Sequence, residues 1–180
     1  MVNGRFTYAG WAQYFTRYSS FMPPRTEGWT QSLPGNNACY RRETMETFGE
    51  HLREGFWEAE FNQELARAGR RMWMCPDLPV IQRQERGALG YIPLRFRHGR
   101  CYGARRVQSS PGQRGILLFR SPLIPAVLLI RATRAVFAKQ QNRLRFVSVL
   151  PLLGAYIVSW AAGEVTGYLL GSGQSCQGTD

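Results

Sequence analysis

EGFWEAEFNQELARAGRR, residues 54–71, decides how the chain is read, because one run carries a helix, its stop signal and the start of a strand. Trp57, Phe61, Leu65 and Ala68 recur at the spacing of one stripe on a 3.6-residue helix, which predicts a buried face. Glu54, Glu58 and Asn62 form a parallel row beside that stripe, so Glu58 is expected at the edge of whatever the stripe packs on. Gly69 follows the last apolar position and suits the left-handed residue that ends many helices. Met72-Trp73-Met74-Cys75 then reads as a short apolar strand. Taken alone, the pattern also describes an ordinary surface helix with an acidic face.

Upstream, Tyr8, Trp11, Phe15 and Tyr18 alternate steps of three and four, which predicts a helix with an aromatic core side. Pro23-Pro24 ends it, since tandem proline cannot continue a helix. Pro34-Gly35 suits the centre of a type II turn, and Asn36 and Asn37 extend a polar loop able to cap itself or to bind a ligand. Arg41 and Arg42 lead into a short helix over residues 43–48.

Charge is distributed unevenly along the 180 residues. The net charge is +11, Lys139 is the one lysine, and no Asp or Glu stands between Glu85 and Glu164. An arginine-rich second half without acids points to an anionic partner: nucleic acid, acidic lipid or a phosphorylated substrate. Residues 82–106 interleave aromatics with Arg86, Arg95, Arg97, Arg100, Arg105 and Arg106, a composition suited to lying on a membrane with guanidiniums toward lipid phosphates. His98 reads as a helix-face residue, and residues 108–113, holding Ser-Ser-Pro-Gly, read as a linker. Cys39, Cys75, Cys101 and Cys176 are widely spaced and indicate neither a zinc site nor a disulfide framework. Apolar neighbours predict Cys39 and Cys75 to be buried thiols in a reducing compartment. The first twenty residues lack the continuous apolar core of a signal peptide.

The order of these features resembles family-2 glycosyltransferases of the GT-A fold. The resemblance rests on the aromatic Trp11-Ala-Gln-Tyr14, the Pro34-Gly-Asn-Asn37 loop with Arg41-Arg42, and Trp57-Glu58-Ala-Glu-Phe-Asn62 closing at Ala68-Gly69. Arg71-Met-Trp-Met-Cys75 and the basic Arg95-Phe-Arg-His-Gly-Arg100 follow in the same order. It implies an α/β fold, a partial GT-A-like, Rossmann-related domain, followed by interfacial and transmembrane helices. Glu58 would be the general base that takes the acceptor hydroxyl's proton as that oxygen attacks the anomeric carbon. Its ionised form would be favoured near a helix N-terminus. The family's usual residue at that place is Asp preceded by an acid, and here Trp57-Glu58 stands instead. Asn36, Asn37 and Arg41 would face donor and acceptor, and Arg97 or Arg100 would meet the donor pyrophosphate or a lipid phosphate. A nucleotide-diphosphate sugar is the implied donor, and a cell-envelope or lipid-linked glycan the implied acceptor. The complete enzyme would use a divalent metal, Mg or Mn, held by a D-x-D motif. Asp77 and Asp180 are the two aspartates here, so no D-x-D exists, and the resemblance covers the C-terminal portion of such an enzyme. The N-terminal half would then be a partner.

Four regions are expected: 1–85 as the acceptor-side half of the catalytic domain, 86–113 as a basic interfacial helix and linker, 114–171 as membrane-associated helices, and 172–180 as a polar tail. Residues 115–130 are apolar but broken by Arg120, Pro122 and Pro125, and are expected to lie in the interface or re-enter. Residues 146–170 carry Glu164 as their one formal charge and are expected to span the membrane once. The arginines between them place the catalytic part in the cytoplasm and export the tail, so that Cys176 labels from outside. The rival reading is a non-catalytic, basic, membrane-anchored protein that binds anionic lipid or a partner protein. Nucleic-acid binding leaves the 146–170 run unexplained.

Overall fold

The computed structural model describes residues 2–4, 6–47, 58–83 and 86–176, with backbone alone at 58–60. The chain divides into two compact units, residues 1–2 with 21–82, and residues 3–20 with 83–180. The sequence expectation of one region over 1–85 therefore differs at residues 3–20, which group with the helical second half.

In the first unit, β2 (Gly28–Thr30) pairs antiparallel with β3 (Met72–Met74), setting Trp29 opposite Trp73. The Val2 N–H, in β1 (Val2–Asn3), donates to Val80 C=O at 3.0 Å, beside β4 (Ile81–Gln82). Its described α-helices are α2 (Arg42–Thr47) and α3 (Glu58–Arg67). Phe61 and Leu65 from α3 and Met72 from β3 form a buried cluster, with Leu33, Tyr40 and Met45 packed against it. Each fully buried apolar side chain of this size contributes about 1.5–3 kcal/mol. The α3 terminus follows from its glycine. Gly69 sits at φ 71°, the Gly69 N–H donates to Ala66 C=O at 3.1 Å, and the Arg70 N–H reaches Leu65 C=O at 2.8 Å, a Schellman closure.

The sheets among the described residues are two-stranded and helices predominate, so the layered α/β architecture expected from the resemblance is not what these residues display. Gly35 is not among the glycines at positive φ, so the expected type II turn is replaced by a 3-10 turn over Gly35–Asn37. Ala68 is exposed, and Trp57 and Glu54 of the predicted stripe and row lie outside the described residues.

The second unit is helical. Thr7 caps α1 (Tyr8–Tyr18) by accepting the Gly10 N–H at 3.1 Å. Trp11, Phe15 and Tyr18 of the predicted stripe are buried, while Tyr8 is exposed and Tyr14 is buried in addition. Burial pushes the Tyr14 phenol well above its usual range. Then come α4 (Tyr91–Ser109), α5 (Arg114–Arg120), α6 (Ile124–Ala138), α7 (Arg143–Ser148) and α8 (Leu150–Leu170). Phe15 of α1 meets Phe146 of α7 edge-on at 5.3 Å.

The dominant packing is α4 against α8, and it runs through glycine. A Cβ placed on Gly99 or Gly103 of α4 would run into the backbone of Trp160 and Glu164. One placed on Gly163 or Gly167 of α8 would run into the backbone of Phe96 and Arg100. Both helices thus carry small residues four apart on the facing side, which lets the backbones approach closely. Tyr156 Oη donates to Ala88 C=O at 2.9 Å and Ser159 Oγ to Ile92 C=O at 2.7 Å along the same seam.

Three sequence expectations change here. The face of α4 expected to lie on lipid is occupied by α8, so Tyr91, Leu94, Arg95, His98, Cys101 and Ala104 are buried. Residues 108–113 are no open linker, because α4 runs to Ser109 and a 3-10 turn covers Pro111–Gln113. The apolar run judged too broken to span is nearly continuous helix over Pro111–Ala138. It is the one helix among the described residues long and apolar enough to cross a membrane, by length and composition alone. Pro122 and Pro125 interrupt little because each stands in the first turn of its segment, where the missing N–H has no intrahelical partner to lose.

Candidate functional site

Glu58 is the first described residue of α3, and its side chain lies outside the described residues. Four positions on, Asn62 is 1 % exposed rather than at an edge, because both ends of its amide are used. Its Nδ2 donates to Leu33 C=O at 2.9 Å, and its Oδ1 accepts the Tyr40 hydroxyl at 2.8 Å. Tyr40 also meets Phe61 edge-on at 4.9 Å. α3 is therefore fastened on both sides of the Pro34–Asn37 loop. Asn62→Ala removes both bonds from a buried site and is expected to lower stability by about 1–3 kcal/mol. A denaturant titration followed by Trp fluorescence reads it, with Asn62→Asp as a variant of equal size.

Asn36 and Asn37, expected to face ligand, hold the loop in place. Asn36 Nδ2 donates to Gln82 Oε1 at 2.6 Å, and Asn37 Nδ2 donates to Leu78 C=O at 3.1 Å. Arg41 is exposed, and its carbonyl accepts the N–H groups of Thr44 and Met45 at the start of α2. Sequence reasoning missed an exposed indole pair in this unit. Trp29 and Trp73 meet edge-on at 4.9 Å, the Arg71 guanidinium lies 4.5 Å from the Trp29 ring centre, and Trp73 Nε1 donates to Glu27. Cross-strand register explains it, and neither tryptophan's periodicity could reveal it.

In the second unit Arg97 and Arg100, three apart on α4, do come together, with Gln174 and Ser175, around an open cleft of about 480 Å³. Arg97 is exposed, while the Arg100 Nε is fixed by Gly171 C=O at 2.9 Å. Arg95 does not join them. It is buried, with its guanidinium 4.3 Å from the Trp160 ring centre, and loss of solvent pulls its pKa below the usual arginine range. The cysteine expectations are also revised. Cys101 and Cys176 form a disulfide with Cα atoms 5.2 Å apart, whereas Cys39 and Cys75 are exposed free thiols. A separation of 75 residues hid the pairing, since only the approach of α4 to the segment after α8 brings the two together. Paired thiols lie on one side of a membrane, so an interfacial, cytoplasmic residue 101 and an exported tail are expectations that this disulfide does not allow together.

Glu164, 3 % exposed on α8, accepts from three groups. Arg106 Nη1 reaches Oε1 at 2.9 Å, Trp160 Nε1 reaches Oε2 at 3.0 Å, and the Tyr168 hydroxyl also reaches Oε1. This supplies the protein partner that an acid in an apolar run needs.

Among the described residues no group of three or more His, Cys, Asp or Glu stands together. Compared with protein-family models, with characterised proteins and with solved structures, the chain matches none.

Proposed function

We propose that the chain is the acceptor-side portion of an inverting, family-2-like glycosyltransferase at the cytoplasmic membrane. The supporting observation is that two of the motifs behind the resemblance, the asparagine loop and the acidic helix α3, are neighbours in one unit: Asn62 ties α3 to Leu33 and Tyr40, on either side of that loop. The resemblance puts the general base at Glu58, on the same helix as Asn62. In the proposed step Glu58 accepts the proton of the acceptor hydroxyl and the oxygen forms a bond to the anomeric carbon. The carbon–oxygen bond to the nucleotide diphosphate breaks, with inversion.

Membranes carrying the chain together with the D-x-D half that the resemblance implies, incubated with radiolabelled nucleotide-diphosphate sugars, should transfer label to a lipid-extractable or envelope product. Glu58→Gln should lower that rate by about a hundredfold or more, the usual contribution of a general base. Equal rates would remove Glu58 from the role, and no transfer with any donor would remove the enzymatic reading. A second reading is favoured by Pro111–Ala138, where Ile116, Phe119, Leu123, Val127 and Ile130 are exposed beside Arg114, Arg120, Arg131 and Arg134. That surface supports a basic membrane-associated protein without catalysis. It predicts retention on anionic vesicles with no transfer.

A further inference from the structure

We infer that the turn between α6 and α8, residues 139–149, is an interfacial anchor that docks on a bilayer surface carrying anionic lipid. It rests on the membrane setting common to both readings above and needs no sugar transfer.

The helix α7 inside this turn is apolar on both sides. Phe146 points inward, 1 % exposed, with its ring 5.3 Å from that of Phe15 and 6.4 Å from that of Phe137. Leu144 and Val147, three apart and so together on the other side of the helix, are 88 % and 50 % exposed. Phe6 is exposed too, and it adjoins the turn through Trp11. Its ring lies 6.0 Å from that indole, and the Arg145 guanidinium lies 4.9 Å from the centre of the same indole.

The cations beside Leu144 are held in place. Arg143 Nη2 donates to Phe137 C=O at 2.7 Å, with the guanidinium 5.2 Å from the Phe137 ring centre. Arg145 Nη1 donates to Asn142 Oδ1 at 3.1 Å. A guanidinium carries five N–H donors, so one such bond positions it without using it up. Exposed aliphatic side chains flanked by fixed guanidiniums suit an anionic bilayer, because the apolar groups enter below the headgroups while the cations stay level with them.

Two observations select a bilayer over a second copy of the chain. The turn joins Pro111–Ala138, the helix long and apolar enough to cross a membrane, to the apolar α8, so it falls where such a helix leaves the hydrocarbon. Residues 139–149 also hold Lys139, Arg143 and Arg145 and no acid, so two copies of this face would set like charges against one another.

The full chain is placed in nanodiscs of phosphatidylcholine alone and of phosphatidylcholine with phosphatidylglycerol, and amide hydrogen exchange is followed by mass over residues 143–149. α7 is a short surface helix that opens readily, so docking shows as slowed exchange. Its amides should exchange about twentyfold more slowly in the phosphatidylglycerol discs, while those of the α4–α8 seam exchange equally in both. Arg143→Gln and Arg145→Gln should each cut that ratio about fivefold, the share of one cation beside an anionic surface, and Arg145→Lys should keep it. Taking the ratio between discs cancels any change in how α7 frays by itself. Equal exchange in the two discs, or a ratio that neither glutamine variant moves, overturns the anchor. So does slowing by polyglutamate in neutral detergent without slowing in either disc, which assigns the face to an acidic protein. A chain that enters neither disc overturns this inference and the membrane setting together, whereas entry with equal exchange overturns this inference alone.

Discussion

Gly103→Leu and Gly163→Leu are each expected to force α4 and α8 apart and to lower stability by about 3 kcal/mol or more. The physical reason is that the added carbon meets backbone, not a side chain that can turn away. At Gly103 it runs into the carbonyl of Glu164, and at Gly163 into the carbonyl of Phe96. Overpacking of a rigid contact typically costs about 1–3 kcal/mol, and a backbone collision belongs at or beyond the upper end. Gly154 lies on α8 as well, but a Cβ there meets nothing, so Gly154→Ala should be neutral or stabilising by about 0.5–1 kcal/mol through helix propensity. Thermal unfolding in detergent followed by circular dichroism measures all three. A second readout is the rate at which dithiothreitol reduces Cys101–Cys176. Cys101 is fully buried, so separation of the helices should speed reduction in the two leucine variants and leave Gly154→Ala unchanged. Leucine variants that melt and reduce like the parent would mean that the helices do not cross through their glycines.

What the sequence discloses here depends on the range of the interaction involved. Phe61, Leu65 and the Gly69 stop were legible because helix periodicity and left-handed closure are local properties. The burial of Asn62 was not legible for the opposite reason: its partners, Leu33 and Tyr40, stand 29 and 22 residues away, and its place in a row beside the apolar stripe does not disclose them. The α4 surface was misread similarly. Arginines among aromatics suggest lipid, yet the glycines at 99, 103, 163 and 167 are what select α8 as the covering partner. Their four-residue spacing is visible in the sequence and would have pointed to a close helix pair. On the site, the pairing of Arg97 with Arg100 follows from helix geometry, whereas Gln174, Ser175 and the disulfide do not, because they return from the far end of α8. Pro122 and Pro125 misled in another way. Proline was counted as a break, although in a first turn it is tolerated.

Replacing Glu164 should show how far the α4–α8 pair depends on its charge network. Glu164→Leu deletes the acceptor for Arg106, for the Trp160 indole and for the Tyr168 hydroxyl together, and is expected to cost about 3 kcal/mol. Glu164→Gln keeps the shape and one acceptor oxygen and should cost about half as much. The two ends of the ion pair are unequal, since the Arg106 side chain is 41 % exposed and that of Glu164 is 4 % exposed. Arg106 can return to water when its partner is lost, but a Glu164 without Arg106 stays buried with the two neutral donors. Arg106→Leu should therefore destabilise by about 3 kcal/mol, and the double variant Arg106→Leu/Glu164→Leu should be less destabilised than the sum of its parts. Unfolding free energies of the four proteins in the same detergent give the coupling directly. Strict additivity would mean that the carboxylate acts through the indole and phenol alone, with no contribution from the ion pair.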